Sequence, residues 1–161
     1  MAVHGRGIVD VEHGGEDMKR LTLVTAVLAL AALPAVALGS ASATRHLKAS
    51  LSGSVEVPPG APNGSGNAAV TLNDQTGRVC WTFTGLKNLQ GAANAAHIHK
   101  GKAGVAGAVV VPFGAAFKAH GCITVEVATV KQILAHPGRY YVNVHNAKFP
   151  AGTVRGQLKP A

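Results

Sequence analysis

The chain has 161 residues, of which 15 are basic and seven are acidic, and its net charge is +8 at neutral pH. So few acids make a glycosidase carboxylate pair hard to assemble, and without a GxSxG sequence or a free cysteine nucleophile the composition argues against a hydrolase. The basic residues are scattered and lack the aromatic interleaving of single-strand binders, so we expect no specific nucleic-acid partner.

The first 43 residues predict an export signal. Residues 18–20 (MKR) form a basic n-region, residues 21–30 are apolar, and residues 41–43 (ASA) give the small-x-small pattern that signal peptidase accepts. We therefore assign 18–43 to a signal peptide that is removed. Residues 1–17 carry four acids, which suits a mis-assigned upstream start or a disordered extension. An uncleaved membrane anchor is the alternative for the apolar run.

The mature region is expected to span residues 44–161. It keeps twelve basic and only three acidic side chains, a net charge near +9. Such a charge attracts anionic surfaces without specificity. Since the signal peptide is expected to be removed, we expect a secreted or cell-envelope protein, a monomer without a transmembrane span. Its expected partner is an extracellular protein or an anionic envelope component.

The mature region is strand-like throughout, because short alternating or β-branched runs are separated by Gly, Pro and Asn. We predict strands over 46–57, 67–73, 77–84, 95–100, 108–111, 122–127, 139–145 and 153–158, and one helix over 129–136. The two-residue period places Val79, Trp81 and Phe83 on one face, which we assign to the core. About eight short strands predict an all-β fold: an antiparallel Greek-key β-sandwich, immunoglobulin-like or superoxide-dismutase-like.

Both cysteines, Cys80 and Cys122, belong to the mature region. An even number of cysteines in an exported chain predicts a disulfide. A pair of metal-binding thiols is the alternative, but the chain has no CxxC sequence of the kind that zinc sites use.

Two groups of residues could carry chemistry. His97-Ile98-His99 is an HxH sequence on a predicted strand, so Ile98 faces the core and both imidazoles share the opposite face. The same alternation places His145 on the outer face of the 139–145 strand, and Arg155 on the outer face of its hairpin partner. Three imidazoles on one sheet face would suit copper or zinc, and a nearby guanidinium would attract an anion.

The alternative is that these histidines only form hydrogen bonds that hold loops in place. HxH is a weak signal by itself, so we expect no obligatory cofactor, with copper or zinc as the metal alternative. His120 could be a fourth ligand only if the fold brings it close. No residue is assigned a catalytic role.

Four segments resemble a known family: AHIHKG (96–101), GVAGAVVVP (104–112), YYVNVHN (140–146) and FPAGTVRGQL (149–158). They resemble the CHRD domain, which is named from chordin and occurs in many exported bacterial proteins. The resemblance runs from about Leu47 to Leu158. The segments around Cys80 and Cys122 also look like those of the bacterial members, which supports the disulfide.

The resemblance implies an exported β-sandwich and no defining enzymatic activity. We therefore expect a non-catalytic extracellular or envelope domain that acts as an interaction or structural module, with metal binding through His97, His99 and His145 as the alternative. The HxH strand and the AGxxR segment are also similar to copper/zinc superoxide dismutase. The zinc-loop histidines and aspartate of that enzyme have no counterparts here, so redox activity is only a remote expectation.

Overall fold

The computed structural model of the protein describes residues 44–161, so the predictions for residues 1–17 and 18–43 lie outside the described residues. The described part forms nine β-strands and one α-helix. The strands are β1 (Thr44–Ser52), β2 (Ser65–Asn73), β3 (Arg78–Lys87), β4 (Ala93–Lys100), β5 (Ala108–Pro112), β6 (His120–Thr124), β7 (Tyr140–Asn146), β8 (Val154–Gln157) and β9 (Lys159–Pro160). The helix is α1 (Val127–Ala135).

Each predicted strand and the predicted helix is found, with shifted ends. The largest shift is at β1, which ends at Ser52 because the chain then turns into a short 3-10 helix, Gly53–Val55. The Ser52 hydroxyl accepts a hydrogen bond from the Ser54 amide at this turn. Gly53 packs so closely on the Ala61 backbone that a side chain there would clash. In the described chain no helix is both long and apolar enough to cross a membrane.

The strands form a single antiparallel sheet that curls into a half-barrel. Their order is β5-β4-β7-β8-β1-β2-β3-β6, and β9 pairs with β1. The all-β prediction is therefore confirmed. The finer prediction of a two-sheet Greek-key sandwich is not, because hydrogen bonding runs without a break from β5 to β6.

The core lies on the concave side of this sheet. Val79, Trp81 and Phe83 are buried there as predicted. The Trp81 ring stacks on Phe113, which follows β5, with 4.3 Å between ring centroids and 4° between their planes. Since β3 and β5 lie near opposite ends of the strand order, this contact shows how far the sheet curls. Gly121 faces the Trp81 ring, and a Cβ there would come within 2.7 Å of it.

The predicted disulfide is present between Cys80 on β3 and Cys122 on β6. The two residues are direct cross-strand partners in the antiparallel register. Because β6 is an edge strand, the disulfide fastens the edge of the sheet to its neighbour. The bond joins positions 42 residues apart in the sequence.

We predict that removing this disulfide lowers the melting temperature. A loop of this length restricts the unfolded chain by about 4 kcal/mol in the chain-entropy description, so Cys80→Ala/Cys122→Ala should melt roughly 15 °C below the wild type. Differential scanning calorimetry measures the shift. The wild type treated with a reductant should have the same melting temperature as the double variant. The reductant should not change the melting temperature of the double variant itself. An unchanged melting curve of the wild type after reduction would contradict the prediction.

Candidate metal centre

The candidate site lies on the outer face of β4, β7 and β8, opposite the core. The register places side chains of the three strands in cross-strand rows on this face. One row is His97, Asn143 and Arg155, and the next is His99, Tyr141 and Gln157. The predicted alternation of these strands is confirmed, since Ile98, Val142 and Val144 point into the core instead.

Unlike an ordinary outer face, this one is largely covered, and His97 and His145 remain only partly exposed. Tyr141 and Arg155 are each only 2% exposed, and Asn143 is equally enclosed. The cover consists of loops at residues 53–64, 101–107 and 147–153, which lie over the strands. We call the covered side chains the polar layer: His97, His99, Tyr141, Asn143, His145 and Arg155 from the sheet face, with Glu56 and Thr153 from the covering loops.

Three imidazoles converge inside the polar layer. One nitrogen from each of His97, His99 and His145 lies within 4.8 Å of the other two. Three atoms at that spacing leave a point no more than about 2.8 Å from each of them, whereas metal–nitrogen bonds are about 2.0–2.1 Å long. A small closing movement of the rings would therefore bring all three to bonding distance. The sequence predicted these three residues as one group, and we call them the histidine cluster.

Backbone carbonyls orient two of the three rings. His99 Nδ1 lies 2.9 Å from the Gly107 oxygen, and His145 Nδ1 lies 3.0 Å from the Pro150 oxygen. A carbonyl oxygen can only accept, so Nδ1 carries a hydrogen in both rings, and in the neutral imidazole this tautomer leaves the lone pair on Nε2. This is the arrangement in which metal-binding histidines are usually held. The Tyr141 ring, which stacks on His99 at 4.9 Å, further restricts that imidazole.

The pKa values of two cluster histidines are also shifted in the direction that favours metal binding. Burial, with the charges of His145 and His99, lowers the pKa of His97 to about 4. Burial lowers the pKa of His99 as well, against the opposing effect of its hydrogen bond to Gly107. Both rings are therefore neutral at pH 7. Neutral imidazoles are the form that binds a metal ion.

Beside the cluster lies a buried ion pair that sequence reasoning missed. Glu56 Oε2 is 3.7 Å from Arg155 Nε, and Asn143 Nδ2 donates to the same carboxylate oxygen at 3.4 Å. Burial raises the pKa of Glu56 to about 7, despite the opposing effects of Arg155 and of a hydrogen bond from the Val57 backbone. The predicted 46–57 strand included this glutamate, whereas β1 ends at Ser52 and Glu56 lies in the loop that follows.

Arg155, predicted to lie near His145, is central to the layer. Its guanidinium lies over the Tyr141 ring, 4.7 Å from the centroid, and its charge contributes to lowering the pKa of His99. His120, considered as a fourth ligand, is not part of the cluster. It lies on β6 and lines a groove with Trp81.

All buried polar side-chain atoms without a hydrogen-bond partner in residues 44–161 belong to the polar layer. They are Glu56 Oε1, His97 Nδ1, His99 Nε2, Asn143 Oδ1, His145 Nε2, Thr153 Oγ1 and Arg155 Nη2. Each such atom costs about 1–3 kcal/mol if nothing satisfies it. Their concentration in one place therefore indicates a site that is completed by something outside the chain.

The sequence of this site and fold matches one protein family. The model of the CHRD domain matches residues 47–158, most of the described region. The chain belongs to the CHRD domain family. No curated protein and no solved structure matches it. In this CHRD domain the matched region contains the entire histidine cluster, and the structure assigns the three residues to two neighbouring strands, β4 and β7.

We predict that Glu56→Gln alters the pH dependence of stability. Because the folded-state pKa of Glu56 is raised, its stabilising neutral form is fully present near pH 4.5 and is lost as the pH rises through 7. Glu56→Gln stays neutral at every pH. Its free energy of unfolding should therefore rise relative to that of the wild type as the pH increases from 5 to 8. The gain should be on the order of 1–3 kcal/mol.

Denaturant unfolding at several pH values measures this difference. Glu126→Gln, at an exposed acid, is the matched control for the loss of one negative charge. A constant difference between Glu56→Gln and the wild type across this pH range would show that the carboxyl does not titrate there. A relative loss at high pH would show that the ion pair with Arg155 outweighs burial.

Proposed function

We propose that this chain is an exported, non-catalytic CHRD module that binds one copper or zinc ion through His97, His99 and His145. The observation that carries the proposal is the convergence of three imidazole nitrogens in the polar layer, where His99 is buried and His97 and His145 are partly exposed. Three of the atoms left without a partner are nitrogens of these same rings. Imidazole is a good ligand for both ions, and the absence of a thiolate in the cluster gives no preference for a softer metal.

The polar layer supports binding rather than catalysis. In the described chain the cluster includes no carboxylate, and Glu56, the one acid of the polar layer, is engaged with Arg155 and Asn143. The disulfide fits an extracellular protein, because such bonds persist in oxidising compartments. Secretion, or retention in the envelope, and a monomeric state complete the proposal.

A second candidate function is an interaction or structural module that attracts an anionic envelope component. The surface charge favours it, since Glu56 and Arg155 are buried as a pair and the other charged side chains of residues 44–161 are eleven basic and only two acidic, Asp74 and Glu126. The outer surface therefore keeps a net charge near +9. The two functions are compatible, because the bases are scattered over the surface whereas the histidine cluster is enclosed.

Metal titration tests the first function. The chelator-treated protein should bind one equivalent of Cu(II) or Zn(II), and His97→Ala should weaken that binding at least tenfold, because a lost ligand should cost no less than a lost outer-shell partner. Isothermal titration calorimetry gives the affinity, and elemental analysis of the loaded protein gives the stoichiometry.

His120→Ala is the matched control, since His120 is an exposed histidine outside the cluster. It should bind the metal like the wild type. Equal affinities of the wild type and His97→Ala would reject the site. Equal losses in both variants would mean that surface histidines, and not the cluster, bind the metal.

A further inference from the structure

A cleft of about 230 Å³ lies next to the polar layer, where two covering loops meet β8. Arg155 and Gln157 of β8 line it, together with Ser50 of β1. The loops contribute Val55 on one side, and Ala103 and Gly104 on the other. The histidine cluster does not line this cleft, so its chemistry is separate from that of the metal centre.

Arg155 brings a buried cation to this cleft. Its Nε donates to the Val55 oxygen at 2.6 Å, and Nη1 donates to the Val105 oxygen at 3.1 Å. These bonds use two of the five guanidinium hydrogens. Nη2 is buried without any partner, although the residue is only 2% exposed. Nη2 therefore keeps free donors, and because it has almost no accessible surface, a ligand in the cleft reaches them only after a small shift of the residues that cover it.

The positive charge of Arg155 is incompletely balanced. Glu56 is its ion-pair partner in the described chain, at 3.7 Å, and burial keeps that carboxyl partly protonated near neutral pH. No acidic residue lines the cleft, and Lys102 adjoins it in sequence. A buried cation without full compensation is costly, so an anion in the cleft would stabilise it.

The remaining lining indicates the kind of anion. Val55 and Ala103 are apolar, while Ser50 supplies a hydroxyl group. A guanidinium presents paired N–H groups that match the two oxygens of a carboxylate. We infer that this cleft is a binding site for a small carboxylate, of the size of formate or acetate, with the carboxylate on Arg155 and its apolar part against Val55 and Ala103.

The test is an acetate titration of the metal-free protein, followed by NMR chemical shifts at constant ionic strength with chloride as the replaced anion. The wild type should show saturable shifts of the Arg155 and Gln157 side-chain N–H signals. Replacing Arg155 could release both loops, so the main variant is Ala103→Glu, which brings a like charge to the rim from an exposed loop position. It should bind acetate at least tenfold more weakly.

Ala106→Glu is the matched control, because Ala106 is exposed in the same loop but does not line the cleft. It should bind acetate like the wild type. The titration extends to about 100 mM acetate, a range that covers millimolar affinities. If no saturable response appears in that range, the inference is overturned and water is the partner of these donors. Equal affinity of Ala103→Glu and the wild type would also overturn it.

The inference does not rest on the metal centre, and the experiment separates the two. Metal-free His97→Ala should retain acetate binding, while Ala103→Glu should retain binding of Zn(II). Loss of acetate binding in His97→Ala would show that the anion sits in the histidine cluster and not in the cleft.

Discussion

The polar layer depends on the hydrogen bonds that Arg155 makes to two loops. Its guanidinium holds the carbonyl groups of Val55 and Val105, which belong to separate covering loops, and lies against the Tyr141 ring. These contacts convert one outer face of a curled sheet into an interior. Without that cover, His97, His99 and His145 would be solvated side chains on an open strand surface, with no defined orientation.

Enclosing a polar face has a cost that the rest of the fold must offset. Backbone carbonyls satisfy one nitrogen in two of the three imidazoles, but the nitrogens that face each other remain unpaired. The apolar core on the opposite face and the Cys80–Cys122 bond supply stability that does not depend on this layer. The domain can therefore maintain a partly unsatisfied site, as proteins commonly do where a ligand completes the structure.

Glycines allow the loops to approach the strands closely. A Cβ at Gly152 would come within 2.5 Å of the Glu56 carboxylate, and a Cβ at Gly107 would strike the Lys100 carbonyl. Gly107 is also the residue whose oxygen accepts from His99 and whose amide donates to Tyr141. Small residues at these points thus link the path of the loops to the orientation of the candidate ligands.

The strand period was sufficient to predict which side chains share a face. It placed Ile98 and Trp81 in the core, and it paired His97 with His99, because alternation is a property of the local backbone. The even number of cysteines, together with the predicted export signal, was likewise enough to predict their bond. The single curled sheet was not predictable, since the contact of Trp81 with Phe113 joins segments that are distant in sequence.

The amino-acid sequence by itself therefore determined the strands, their buried faces and the membership of the histidine cluster. Only the tertiary structure decided that the cluster is enclosed, that Glu56 lies beside Arg155, and that a cleft adjoins them. The physical reason is the separation in sequence of the residues that interact. Alternation depends on neighbouring residues, whereas strand order and loop cover depend on hydrogen bonds such as that from Arg155 to Val55, which connects positions 100 residues apart.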